Sequence, residues 1–257
     1  MPKIIIHKEK AADIPALLAL CPFGAIEYDG RDLSISAACR MCRLCCKKSN
    51  GVCEYVEDGQ VQKIDKTLWQ GITVAAEMVG GQVHPVTKEL LGKARELAEK
   101  THQKVSCLVV GHGLDSCIDE LNACGPDEIV LYDQPELEHF RVEPFCAAWE
   151  DYIHFAKPSV MLVGGTSVGR SLAPRVAARF HAGLTADCTM LDIQPNTDLD
   201  QIRPAYGGNI MAHIRTPNHR PQFATVRYKI FPMPEKTQPH AKIFRRSLSA
   251  AQLVSGI

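Results

Sequence analysis

The chain has 257 residues, enough for one large domain or two, and its 29 basic and 29 acidic side chains cancel. That balance argues against nucleic acid as the principal partner, and no apolar run reaches the roughly 18 residues needed to span a membrane. Eleven cysteines behind an opening Met1-Pro2-Lys3, with no apolar leader, lead to the expectation of a reducing cytoplasm and of free thiols instead of disulfides.

In chain order, residues 3–7 predict a strand and residues 11–20 a helix that runs into Cys21-Pro22. Residues 25–28 and 33–36 predict a hairpin about Asp29-Gly30, and residues 53–56 and 61–64 a second pair about Asp58-Gly59, because Asp-Gly supplies the positive φ of a tight turn. Between the two pairs stands Cys39-Arg40-Met41-Cys42-Arg43-Leu44-Cys45. Thiolates at every third residue let one tight loop reach three corners of a cubane, and a distant Cys-Pro supplies the fourth. Cys21, Cys39, Cys42 and Cys45 are therefore the candidate ligands of a [4Fe–4S] cluster. Cys46 is an alternative to Cys45, since it widens the last gap by one residue. A structural zinc site would ask for a second paired knuckle or for histidines, and neither is near.

Two-cluster ferredoxins carry the run C-x2-C-x2-C-x3-C-P twice, each Cys-Pro serving the other cluster. Counting back from Cys21 places Leu17, Ile14 and Ala11 at the upstream ligand positions, and Ser49-Asn50 stands where the downstream Cys-Pro would be. Both losses fall on the same cluster, so one set is deleted and the other is complete. Residues 1–66 thus resemble a two-cluster bacterial ferredoxin reduced to one cluster, which implies a ferredoxin-like α+β domain that handles single electrons. Arg40, Arg43, Lys47 and Lys48 surround the loop, either as solvated charge or as attraction for an acidic redox partner.

Residues 65–71 read as a linker. Beyond it strands are predicted at 72–78, 105–110, 128–132 and 159–163, alternating with helices at 86–100, 114–123, 144–155 and 168–180. That alternation argues for an α/β fold with a parallel sheet covered on both faces. Short strands at 190–193, 210–214 and 224–226 follow, then a basic, proline-interrupted tail. Cys107, Cys117, Cys124, Cys146 and Cys188 are scattered singly and read as small apolar core residues.

Gly164-Gly165-Thr166-Ser167-Val168-Gly169-Arg170 closes a predicted strand and opens a helix, a place where backbone N–H groups can meet an anion. It lacks the Lys-Ser/Thr of a Walker loop and the spacing of G-x-G-x-x-G, so alone it is a nucleotide-related loop or a tight turn. It continues into Arg170-Ser171-Leu172-Ala173-Pro174-Arg175, Gly183-Leu184-Thr185-Ala186-Asp187-Cys188-Thr189, Arg203-Pro204-Ala205-Tyr206-Gly207-Gly208-Asn209 and Pro217-Asn218-His219-Arg220-Pro221-Gln222-Phe223-Ala224-Thr225. Over about residues 70–230 these motifs together resemble the N-terminal domain of the alpha subunit of electron transfer flavoproteins.

The resemblance implies a Rossmann-like (adenine nucleotide alpha hydrolase-like) domain packed against a beta subunit that binds AMP or a second FAD, with the alpha subunit's own FAD in a further C-terminal domain. The chain ends at Leu253-Val254-Ser255-Gly256-Ile257, about where the family's Ser-Gly-Gly-Arg-Gly flavin motif would begin. FAD is accordingly expected in the assembled heterodimer and not on this chain alone. The expected organisation is 1–66 cluster domain, 67–235 flavoprotein alpha domain and 236–257 connector. Expected partners are the beta subunit, ferredoxin or flavodoxin, and an acyl-CoA dehydrogenase-type enzyme. An electron carrier needs no general acid, base or nucleophile, and none is assigned.

Candidate cofactor contacts follow from residue chemistry beside the resemblance. Arg170 could offset charge on a reduced flavin, or pair with a helix carboxylate. Asp187 could hold a ribose hydroxyl or cap a turn. Thr185, a further candidate cofactor contact, sits with Asp187 after Gly183 on a strand edge, and Arg203, Asn209 and Thr225 face the beta subunit by resemblance, as cofactor contacts or as interface hydrogen bonds. His112, between two glycines, reads as a turn residue. The competing function is an adenine-nucleotide sensor or hydrolase whose cluster is a redox gate or a structural staple.

Overall fold

Five strands after residue 70 carry apolar side chains at both parities, which is the signature of a sheet buried on two faces. The computed structural model describes residues 3–30, 32–36, 38–56 and 64–253, and the chain divides into two units, Met1–Lys63 and Ile64–Ile257.

In the first unit β1 (Lys3–Ile6) is followed by α1 (Ile14–Ala19), β2 (Ile26–Tyr28), β3 (Leu33–Ile35), α2 (Leu44–Lys48) and β4 (Cys53–Val56). β1 pairs antiparallel with β4, and β2 with β3. The Asp13 carboxylate caps α1 by accepting the Ala16 N–H at 3.0 Å. Ile4, Leu17, Ile26, Cys45, Val52 and Cys53 form its small core. Most of the strand predicted at 61–64 lies outside the described residues.

The second unit runs β5 (Ile72–Ala75), β6 (Met78–Val79), β7 (Gln82–Val83), α3 (Pro85–Thr101), β8 (Val105–Gly111), α4 (Asp115–Asn122), β9 (Glu128–Asp133), α5 (Val142–Ala156), β10 (Val160–Gly164) and α6 (Ser167–Arg179). Then come β11 (Leu184–Cys188), β12 (Met190–Ile193), β13 (Leu199–Ala205), β14 (Ile210–Ile214), β15 (Gln222–Val226), β16 (Lys242–Arg246) and α7 (Ala250–Leu253). Seven strands form one sheet in the order β11-β15-β10-β5-β8-β9-β16, every neighbouring pair parallel. The order reverses between β5 and β10, so the α/β sheet is doubly wound.

Alternation along the strands divides the core. Ile72, Val74, Cys107, Val109, Ile129, Leu131, Val160 and Leu162 face α3 and α4. Ala75, Leu108, Val110, Val130, Tyr132, Met161 and Val163 face α5 and α6. The five single cysteines are all buried, and burial pushes the thiols of Cys117 and Cys146 up to about 11. They pack as apolar side chains. β12, β13 and β14 form a separate antiparallel sheet.

Three expectations change. Residues 65–71 are no free linker: Asp65 accepts the Thr67 N–H at 3.0 Å, and Lys66 Nζ reaches the Asp198 carboxylate at 2.7 Å. Residues 236–257 are not simply a connector, because Lys242–Arg246 is the sheet's seventh strand. The segment before it is strapped down, with the Asn122 side-chain oxygen accepting the N–H groups of His240 and Ala241, each at 3.0 Å. Finally, β13 lies where no strand is predicted.

Candidate functional site

The first unit holds the predicted thiols. Cys21 follows α1, and Gly24, at φ +61°, turns the chain back over it. The Ala25 N–H donates to Cys21 Sγ at 3.3 Å. Burial pushes the Cys21 thiol up, but hydrogen bonds from the N–H groups of Ala25, Phe23, Ile26 and Gly24 outweigh that and hold it below the usual thiol range. A sulfur cradled by amides is chemically suited to be a metal-bound thiolate.

Cys39 lies 4.0 Å from the Met41 sulfur. Met41 and Arg43 take left-handed backbone at φ +52° and +61°, which coils the loop tightly. The Arg40 guanidinium sits 4.9 Å over the Phe23 ring and that of Arg43 3.5 Å over Tyr55, so both basic side chains are stacked. Cys42 is exposed and Cys45 buried. Burial, then the neighbouring Cys45, pushes Cys46 up to about 11, which makes it the poorer thiolate beside Cys21. Among the described residues no three His, Cys, Asp or Glu side chains stand around a common point at metal-binding range. The donor chemistry fits a cluster, whereas the four thiols are together in one unit without being closed into a shell.

The second constellation lies at the carboxyl ends of β11 and β15. Arg170 Nη2 donates to Asp187 Oδ1 at 2.8 Å, and Arg227 approaches Asp187 Oδ2 at 3.7 Å. Asp187 has left-handed backbone, φ +59°, at a register break between β11 and β15. Its N–H donates to Thr225 Oγ1 at 3.0 Å. Arg170, Asp187 and Thr225 are thus one polar cluster, with Thr185 buried on the same strand. Arg203, on β13, is close enough to Cys188 for its charge to act on that thiol. Asn209 stands apart, exposed beyond the Tyr206–Gly208 turn. Of Arg170's two alternatives, an ion pair is present, but with Asp187 on the adjacent strand and not with a helix carboxylate. Arg227 joins the cluster through a long-range approach that no local sequence pattern marks.

A crevice of about 420 Å³ opens outside the carboxyl ends of β5, β8 and β10, at the point where the strand order reverses. Glu77, His112, His139, Phe140, Trp149 and Gly164 are among its lining residues. Thr166 caps α6: its Oγ1 accepts the Gly169 N–H at 3.1 Å and donates to Glu77 Oε2 at 2.5 Å. Thr166, one residue before the helix, is a legible cap, whereas no local pattern marks Glu77. His112 is a turn residue, its Nδ1 3.4 Å from Asp133.

Sheet, crevice and strand-end cluster define a doubly wound α/β domain of the nucleotide-binding architecture. Residues 72–249 match the family model described as the electron transfer flavoprotein domain, and the chain belongs to that family, alpha type. It is 51% identical over 257 residues to the LctC subunit of lactate dehydrogenase (NAD(+),ferredoxin) of Acetobacterium woodii, covering 99% of this chain and 61% of that protein. It is 42% identical over 173 residues to the electron transfer flavoprotein subunit alpha of Megasphaera elsdenii, covering 67% of this chain and 51% of that protein. A protein FixB of Clostridium saccharobutylicum is 42% identical over 164 residues, 63% of this chain and 49% of that protein. The chain therefore spans about half to three-fifths of the length of these relatives. The family model begins after the first unit, whereas the match to LctC takes that unit in. No helix among the described residues is long and apolar enough to cross a membrane.

Proposed function

We propose that this chain is an electron carrier that works beside a beta-type subunit and relays single electrons between a ferredoxin-type carrier and flavin. Cys21, Cys39, Cys42 and Cys45 would hold a [4Fe–4S] cluster, whose chemistry is one-electron exchange. The observation that carries this reading is the amide cradle on Cys21, with the Ala25 N–H at 3.3 Å from the sulfur. Amides directed at a thiolate stabilise its negative charge, and they do so at the one ligand outside the tight loop. FAD belongs to the assembled complex in this reading.

The name of the LctC relative, a dehydrogenase subunit linked to NAD(+) and ferredoxin, supports ferredoxin as the electron partner. It also favours a 2-hydroxy-acid dehydrogenase over the acyl-CoA dehydrogenase-type enzyme expected from sequence. On the strand-end cluster, Asp187 holds Arg170 and Arg227 beside Thr225. These side chains, with Arg203 and Asn209, are proposed to face the beta subunit and its cofactor. The adenine-nucleotide sensor has less support: no Lys or Arg is among the described residues lining the crevice, so a phosphate finds no ammonium or guanidinium there.

The test is anaerobic co-purification with the beta-type subunit, followed by reduction with reduced ferredoxin under low-temperature EPR. A cluster signal that appears with ferredoxin and is lost in Cys21→Ser supports the reading. A complex that forms but takes no electron from ferredoxin refutes it.

A further inference from the structure

We propose that the switch-point crevice of the second unit is a binding site for an uncharged, ring-bearing molecule of nucleoside size, and that Glu77 turns away its phosphorylated form. The crevice has the size and position of a ligand site. Its roughly 420 Å³ falls within the range of small-molecule pockets, and it lies where doubly wound sheets bind ligands. Its floor is apolar, formed by Ala75, Val110 and Val163, while Phe140, Phe145 and Trp149 offer aromatic walls for a planar ring.

Its charge is the reverse of a nucleotide site. Glu77 and Glu138 line it, with no Lys or Arg among the described lining residues. A carboxylate of the chain stands at the start of each of the two helices, α4 and α6, that open on it. At α4, Asp133 accepts the N–H groups of Gly113 at 2.8 Å and Leu114 at 3.0 Å. At α6, Glu77 takes the hydroxyl of the capping Thr166 at 2.5 Å. A fixed carboxylate thus stands where a phosphate would approach the N-terminus of α6, and like charges at that range repel. Carboxylates accept hydrogen bonds and cannot donate them when ionised, so they suit a ligand that brings hydroxyl or amine donors and no negative charge. This inference is separate from the electron-transfer reading, since neither a cluster nor a partner subunit enters its measurement.

The experiment titrates the full chain with adenosine and with AMP, following tryptophan fluorescence and calorimetry. Adenosine is expected to bind saturably and AMP at least tenfold more weakly. Glu77→Gln, whose amide oxygen still accepts from Thr166, is expected to improve AMP binding at least tenfold and to move adenosine less than threefold. Ser116→Tyr, at an exposed lining position on α4, should block both. AMP binding as tightly as adenosine to the unaltered chain, no saturable adenosine binding, or no gain for AMP in Glu77→Gln would each overturn the proposal.

Discussion

Removing the Asp198 carboxylate should be among the costliest single changes in the second unit. Its side chain is 8% exposed and receives Lys66 Nζ at 2.7 Å and Arg220 Nη2 at 2.7 Å. The Arg220 side chain is fully buried, at 0% exposure. Its remaining acceptors are neutral: the His219 carbonyl at 3.0 Å and Thr197 atoms at 3.3 and 3.5 Å. Asp198→Ala strands that guanidinium without a counter-charge, a change that costs about 3–5 kcal/mol. For a unit of this size that is roughly 6–20 °C in melting temperature. Lys66 is half-buried and can turn to water, so Lys66→Met should cost far less, of the order of 1 kcal/mol. Replacing both buried partners, Asp198→Leu with Arg220→Met, should recover most of the loss, because no charge is then left unpaired.

The effect also has a pH signature. Burial pushes the Asp198 carboxyl up, but hydrogen bonds from Lys66 and Arg220 outweigh it and hold the folded value below the usual carboxylate range. A depressed folded pKa contributes stability in full above the unfolded value, near 4, and loses it as pH falls through the folded value. The gap between parent and Asp198→Ala should therefore be full at pH 6 and narrow below about pH 4. Thermal melts followed by circular dichroism measure both. An Asp198→Ala chain melting within 2 °C of the parent at pH 7 would refute the reasoning (~1 kcal/mol or less at this size).

Gly169→Ala should disturb the packing of α6 on β10, because an added Cβ would lie 2.0 Å from the Gly164 carbonyl oxygen and 2.9 Å from Val163 Cγ1. Urea titration should register a loss of about 1–3 kcal/mol. Asn122→Ala removes the acceptor for the N–H groups of His240 and Ala241. Hydrogen exchange should accelerate along Lys242–Arg246, and global stability should fall by about 1–3 kcal/mol. Exchange rates in β16 that stay unchanged would show that the strand is held by its pairing with β9 alone.

The second unit was legible in the sequence wherever periodicity was strong. The apolar runs of β8, β9 and β10 and the amphipathic face of α3 announce themselves, because burial on two faces or on one stripe fixes residue type. β13 does not, since Asp200 and Gln201 occupy buried strand positions, where tertiary packing overrides strand preference. β11 is interrupted by the left-handed Asp187. β16 is hidden in a basic tail and becomes a strand through long-range contacts, its pairing with β9 and the Asn122 anchor on its approach. At the candidate sites, thiol spacing was readable because covalent ligand geometry is local. The alliance of Arg170 with Asp187 was not, since it joins a helix to a strand seventeen positions away in sequence. Glu77 was invisible for the same reason: it meets Thr166 across the sheet's switch point.

The most direct test of the account is the iron and acid-labile sulfide content of the chain prepared without oxygen. About four irons and four sulfides per chain, falling to a small fraction in Cys21→Ala, is the result predicted. A colourless preparation with no iron, or one holding only zinc, would contradict it.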